Sequence, residues 1–389
     1  MKLAERMSKL GTETAFEVLA KAKALESQGK EVIHLEIGEP DFDTPDNIIN
    51  AAVKALNEGK THYGPAAGVP GLRKVIAEDM GKRRNINIHP DQVVVTPGAK
   101  PIMFFSILAL IDEGDEVMYP NPGFPIYESV IDFVGARSVP YPLREEREFS
   151  FDINEFTSLI TDKTKMIILN SPQNPTGGIL TEDALKAVAS IAQEKDIYIL
   201  SDEVYLNTIY EGVHHSIASI AGMQERTIIL DGFSKTYAMT GWRLGYGAMP
   251  EGFAQKIVQL QINSNSCTAT FSQYAGIEAI SGPQDEVHKM VAEFKKRRDV
   301  IVDGLNAING ISCLRPHGAF YVFPNIKQLG IDGKKLADFL LEKYGVAALS
   351  GTAFGKYGEG YLRFSYANSV ENIQRALNRI DQAVKSLNH

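Results

Sequence analysis

The fold class the sequence predicts is α/β, a mainly parallel sheet with a smaller α+β domain behind it, and three observations predict it. Short β-rich runs recur at residues 93–96, 116–119, 166–170, 198–201, 227–231 and 244–248. Helical segments at 101–111, 124–134 and 181–195 lie between several of them, and apolar strands joined by crossover helices make a parallel sheet buried on both faces. Beyond residue 283 the pattern changes to a long helix, two alternating strands and a closing helix, the pattern of a separate α+β unit.

Taken in order, residues 12–28 are an amphipathic helix, because Ala15, Val18, Leu19, Ala22 and Leu25 recur at helical spacing until Gly29 stops it. Residues 32–37 are a short apolar strand, and Pro40 and Pro45 make 38–45 a loop. A helix then runs from residue 46 to Gly59, and the glycine and proline cluster at 64–71 interrupts the chain. The tail holds a helix at 283–305 with Lys and Arg on one face, strands at 319–323 and 361–366, and a last helix with Ser369 as its N-cap. The charge runs 144–148 and 295–298 read as solvated faces. The expected division is an N-terminal segment, 1–45, packing with the small domain, a large domain, 46–285, and a small C-terminal domain, 286–389.

The 389 residues are 44% hydrophobic, 23% charged and 9% aromatic, which excludes disorder, coiled coil and collagen and suffices for two or three cores. Forty Lys plus Arg against 48 Asp plus Glu leave a net charge of -8, so no global basic field exists to hold nucleic acid or an anionic membrane. Cys267 and Cys313 lie far apart without a Cys-x-x-Cys partner, which excludes a disulfide scaffold and suits a reducing compartment. A cytoplasmic location is therefore expected. The first nine residues offer no apolar core of an export signal, and apolar stretches such as 102–111 fall well short of the roughly 20 residues a membrane helix needs. His214 and His215 are adjacent and cannot share a helix face, so no metal site is expected.

Ligands of parallel sheets bind at the carboxyl ends of strands, and five endings carry suggestive chemistry. The run 93–96 ends in Pro97-Gly98-Ala99-Lys100 and opens a helix, a geometry that aims backbone N–H groups at an anion, although ordinary turn chemistry explains it equally when seen alone. The run ending at Asn170 continues through Ser171-Pro172-Gln173-Asn174-Pro175-Thr176-Gly177-Gly178, where the Asn174 amide either donates to a ligand oxygen or caps a turn. Asp202, directly after an apolar run, needs a cation or strong donor unless it is a helix N-cap. Lys235 follows another strand, with Arg243 eight positions on. A lysine sharing a site with such a cation has the lowered pKa a Schiff-base amine requires, whereas most lysines are merely solvated. Arg363 lies mid-strand, where an Arg calls for a carboxylate partner. Together these groups match a cofactor with a phosphate tail, a ring nitrogen, a phenolic oxygen and an aldehyde, which is pyridoxal 5'-phosphate.

The set Asn174-Pro175-Thr176-Gly177, Ser201-Asp202-Glu203-Val204-Tyr205, Ser234-Lys235 through Trp242-Arg243 and Arg363-Phe364-Ser365 resembles the class I and II aminotransferases, fold type I of the pyridoxal phosphate enzymes. The likeness extends from Glu36-Ile37-Gly38-Glu39-Pro40 and Tyr63-Gly64-Pro65 to the tail. It implies a seven-stranded-type, mainly parallel sheet with helices on both faces and transfer of an amino group from an L-amino acid to a 2-oxo acid. Residue by residue, it implies Lys235 as the lysine that holds the cofactor and moves the substrate proton, and Asp202 as the partner of the ring nitrogen. Tyr205 and Asn174 match the donors to the phenolic oxygen. Gly98, Ala99 and Lys100 match the backbone phosphate site, with Ser234 and Arg243 as side-chain ligands and Gly232 where relatives often have Ser. Phe124 matches the aromatic stacked on the ring, a place Tyr127 could also fill. Arg363 and the Gly38 backbone match the clamp for the substrate α-carboxylate. Tyr63 lies where relatives reach the neighbour's phosphate, which implies a homodimer with shared sites.

Other readings compete. A C–S β-lyase or a cyclopropane-carboxylate-type synthase uses the same fold and motifs, and a regulator on this fold would carry a DNA-binding extension that is not seen. Gly241-Trp242-Arg243-Leu244-Gly245 is not the fingerprint of a dinucleotide oxidoreductase. For the substrate, the segment 262–270 contains no basic residue to read a second carboxylate. Lys100 either takes that part for aspartate or glutamate or serves the phosphate, and neutral or aromatic amino acids are the alternative substrates.

Overall fold

The computed structural model describes residues 2–387. Its main sheet has seven strands, β1 (Val93–Thr96), β2 (Glu116–Asn121), β3 (Arg137–Pro142), β4 (Thr164–Asn170), β5 (Tyr198–Asp202), β6 (Thr227–Gly232) and β7 (Gly245–Ala248), in the order β1-β7-β6-β5-β4-β2-β3. The five strands from β6 to β3 are parallel neighbours, and β7 runs antiparallel to both β1 and β6. The mainly parallel α/β class is thus as the sequence predicts. Alternate residues of one strand enter different cores: Met166 and Ile168 pack with Leu200 on one side, and Ile167 and Leu169 pack with Ile199 on the other. That is the signature of a sheet covered on both faces.

Helices bound the sheet at the expected places, with small shifts. Lys100–Leu110 follows β1 and Glu182–Glu194 precedes β5, the latter capped where the Thr181 hydroxyl accepts from Ala184 N at 3.2 Å. The last helix, Val370–Leu387, begins as expected, with the Ser369 hydroxyl accepting from Asn372 N at 3.1 Å. Leu349–Ser350, Leu362–Ser365 and Tyr321–Val322 form a separate three-stranded antiparallel sheet. Among the described residues no helix is long and apolar enough to cross a membrane.

Three expectations need correction. The strand expected at 32–37 is reduced to Ile33–His34, paired in parallel with Val346–Ala347. The chain then leaves the ladder so that the Glu36 carbonyl can accept from Arg363 and the Gly38 carbonyl from Lys235. β3 has no strand signal in the sequence, because its two prolines argue against one; it sits at the sheet edge, where proline's missing donor is tolerated. The run 295–298 is a solvated face only at Lys295 and Lys296. Arg297 and Arg298 are buried, Arg297 paired with Asp41 at 2.6 Å and Arg298 with Asp299 at 2.8 Å and Glu211.

Candidate active site

The carboxyl ends of the parallel strands open into a cavity of about 520 Å³. Gly38, Ala99, Lys100, Phe124, Asn174, Asp202, Tyr205, Ser234, Lys235, Arg243 and Arg363 all line it, so eleven residues singled out from the sequence converge there from across the chain. Gly98 is buried next to Ala99 without lining the cavity, and Tyr63 is 89% exposed, outside this cavity of its own chain.

The phosphate-type corner is built from β1 and the helix that follows. Gly98 has φ of +86°, and a Cβ there would stand 2.1 Å from the Arg243 guanidinium, so only glycine lets the turn and the arginine meet. Gly98, Ala99 and Lys100 bring backbone N–H groups to the start of the helix Lys100–Leu110, beside Ser234 and Arg243, while Pro101 has no N–H and Ile102 N donates to the Ala99 carbonyl at 3.0 Å.

Deeper in the cavity, the Asp202 carboxylate at the end of β5 accepts from the Tyr127 hydroxyl at 2.5 Å and from Val204 N at 3.3 Å. Burial pushes its pKa up to about 6, with Asp231 and Glu203 adding to the rise and the Tyr127 and Val204 donors opposing it. It is therefore ionised near neutral pH. Tyr127 is fully buried with its hydroxyl on Asp202, and it lines the cavity together with the half-buried Phe124, whose ring it meets edge to face at 5.5 Å.

Lys235, in the short helix Phe233–Thr236 after β6, donates from Nζ to the Gly38 carbonyl. Burial lowers its pKa to about 8; Glu39 and Glu13 oppose the fall, and Arg363 and Lys100 add to it. The assisting cations are thus these two rather than Arg243. Arg363 is buried, donating to the Asn174 side-chain oxygen at 3.3 Å and to the Glu36 carbonyl. It forms no ion pair among the described residues, and its Nε has no hydrogen-bond partner. A buried guanidinium kept from carboxylates of its own chain is free to hold one from outside.

The site also holds residues that no sequence motif marks. The Tyr205 hydroxyl shares a 2.7 Å hydrogen bond with that of Tyr321, and a Cβ on Gly38 would stand 2.2 Å from the Tyr321 oxygen. Asn170 accepts from Asn174 N at 3.0 Å and donates to the Asp202 carbonyl at 3.1 Å. Behind Asp202, Arg84 donates to Glu203 at 2.6 Å and to Asp231 at 3.0 Å, all three buried. Glu13 and Phe16 reach the cavity from the N-terminal region. The alternation around Tyr321 signalled a core strand, and nothing local marked the rest.

The arrangement fits a pyridoxal phosphate group. The turn at Gly98, where a Cβ would meet the Arg243 guanidinium, would suit a phosphate, the unpartnered Arg363 Nε would suit a carboxylate, and Lys235 brings an amine of lowered pKa to the cavity that Asp202 also lines.

Comparison with known proteins agrees. The family model described as aminotransferase class I and II matches residues 30–380. An aspartate aminotransferase of Pyrococcus abyssi is 42% identical over 92% of each chain. An aromatic-amino-acid aminotransferase of Thermococcus litoralis is 38% identical over 99% of each. The solved structure of an aspartate aminotransferase from Thermus thermophilus with maleate superposes with a TM-score of 0.95 at 36% identity, covering 98% of this chain and 100% of that one.

Proposed function

The chain belongs to the class I and II aminotransferases, pyridoxal-phosphate-dependent enzymes that move an amino group from an amino acid to a 2-oxo acid, and from that premise we propose that its substrates are acidic amino acids with aromatic ones also accepted. The carrying observation is the pairing of two cations in one cavity: Arg363, without a carboxylate of its own, and Lys100, at the mouth. Arg363 would take the α-carboxylate in bidentate fashion and Lys100 the distal carboxylate of aspartate, glutamate or 2-oxoglutarate. Phe16, Phe124 and Met103 on the same wall suit an aromatic side chain. The names of the relatives above, aspartate and aromatic, point the same way.

When bound, the cofactor supplies an aldehyde for the amino nitrogen and a ring that takes up the electron pair left at the substrate Cα. The residues do the rest. Lys235 would hold the cofactor and, once displaced, move the proton from Cα, a task suited to an amine whose pKa is near 8. Asp202 would keep the ring nitrogen protonated, and Tyr127 helps Asp202 stay ionised. Tyr205 and Asn174 would donate to the phenolic oxygen, and Phe124 would stack on the ring. The N–H groups of Gly98, Ala99 and Lys100, with Ser234 and Arg243, would hold the phosphate. The active unit is a homodimer in which Tyr63 of each protomer reaches its partner's phosphate. The division at residues 45 and 285 is supported by the pairing of Ile33–His34 with Val346–Ala347, which joins the N-terminal segment to the C-terminal region.

The test is substitution of Lys100 by Ser. A charge-assisted contact contributes about 1.5 to 3 kcal/mol, so kcat/KM for aspartate and glutamate should fall roughly ten- to a hundredfold while that for phenylalanine changes little. Equal losses on both would assign Lys100 to the phosphate alone.

A further inference from the structure

Glu13 immediately precedes the helix Thr14–Ser27 and lines the catalytic cavity together with Phe16. Its carboxylate is ion-paired with Lys100, whose ammonium also lies 5.3 Å from the centre of the Phe124 ring. The Glu13 side chain is 19% exposed and that of Lys100 49%, so the acid is the more enclosed partner and the ammonium stays open to an incoming group. Glu13 also acts electrostatically on Lys235, Tyr321 and Arg363. A carboxylate of the chain itself therefore sits in the field of the cations that face the substrate.

We propose that Glu13 is the resident counterion of the distal-carboxylate subsite, displaced from Lys100 when an acidic substrate binds and left in place when a neutral or aromatic one does. This rests on the reading that Lys100 faces the substrate side chain. Exchange of one carboxylate for another keeps the Lys100 ammonium paired, and the Glu13 carboxylate, on the turn ahead of its helix, is the charge that must move into solvent. An aromatic side chain meets a neutral pair beside the Phe16 and Phe124 rings and has no charge to desolvate. One cavity thus accepts both classes, and acidic substrates are bound more weakly by the strength of the pair they break. For a part-exposed ion pair that strength corresponds to about a fivefold change in affinity.

The test uses the holoenzyme, Glu13→Gln, and succinate, a dicarboxylate that has no amino group to react. Titration followed by the cofactor's absorbance should give about fivefold tighter succinate binding than in the parent, and the ratio of kcat/KM for aspartate to that for phenylalanine should rise about fivefold. In a Lys100→Ser background the same Glu13 substitution should move neither quantity. Unchanged or weaker succinate binding overturns the proposal, as does an equal gain with Lys100 removed. Selective loss of turnover with lysine or ornithine also overturns it, since Glu13 would then be reading a distal ammonium. The parent's turnover of an amino acid panel decides the substrate range separately, because succinate binding requires no turnover.

Discussion

A neutral amine attacks an aldehyde and an ammonium does not, so the protonation of Lys235 governs how fast the chain captures its cofactor. Burial brings its pKa down to about 8, with Arg363 and Lys100 helping and Glu39 and Glu13 opposing. Capture of pyridoxal phosphate by the apoenzyme should therefore accelerate about tenfold per pH unit below pH 8 and level off above it. Stopped-flow absorbance from pH 6 to 10 would check this; a rate still climbing steeply at pH 10 would mean a solvated lysine. The same residues show what could be read beforehand. That Asp202 needs a donor follows from a carboxylate after a buried strand. Which donor it has does not, because Tyr127 is 75 positions away and meets it only through the order of β5, β4 and β2.

Two strand ends lead to the residues proposed to carry the chemistry, Asp202 closing β5 and Asp231-Gly232 leading from β6 into Lys235. Arg84, the last residue of the helix Pro70–Arg84, ties them by binding Glu203 and Asp231 at once. Burial alone would raise Glu203, yet Arg84 and His214 outweigh it and hold its carboxyl below the ordinary range. Removing the guanidinium that bridges two buried carboxylates breaks both pairs at once, so Arg84→Met should lower the unfolding free energy by about 3 to 5 kcal/mol. Urea denaturation would measure it, and a loss under about 1 kcal/mol would refute the tie. At this scale, elements were legible where one physical signal dominated: β1 came out with its bounds because four apolar or β-branched residues precede a Pro-Gly turn. The edge strand β3 was not legible, since proline removes the signal. Nor was the burial of Arg297 and Arg298, which depends on Asp41 and Glu211 arriving from distant loops.

The surface of the single chain points to a second copy. The helix Asp46–Asn57 buries Ile48, Ala52 and Ala55 and packs against Thr270–Ser281, while Ile49, Val53 and Leu56, spaced as one helical stripe, are 36%, 48% and 44% exposed. Such an open apolar stripe would suit an interface with a second copy. Tyr63, a few residues on, is 89% exposed, which suits a side chain whose target lies in another molecule. In a symmetric dimer each site would combine one protomer's Lys235 with its partner's Tyr63. Tyr63→Ala and Lys235→Ala variants should each be nearly inactive, and mixing them in equal amounts after dissociation and reassociation should restore activity. About half the dimers formed would be mixed, each with one intact site of two, so about a quarter of the parent activity should return. If Tyr63 instead serves the site of its own chain, each mixed dimer holds two damaged sites and no activity returns. Light scattering on a Val53→Asp variant separates the causes: a chain that becomes monomeric and inactive together places the interface on this stripe, and an active monomer would overturn the shared site.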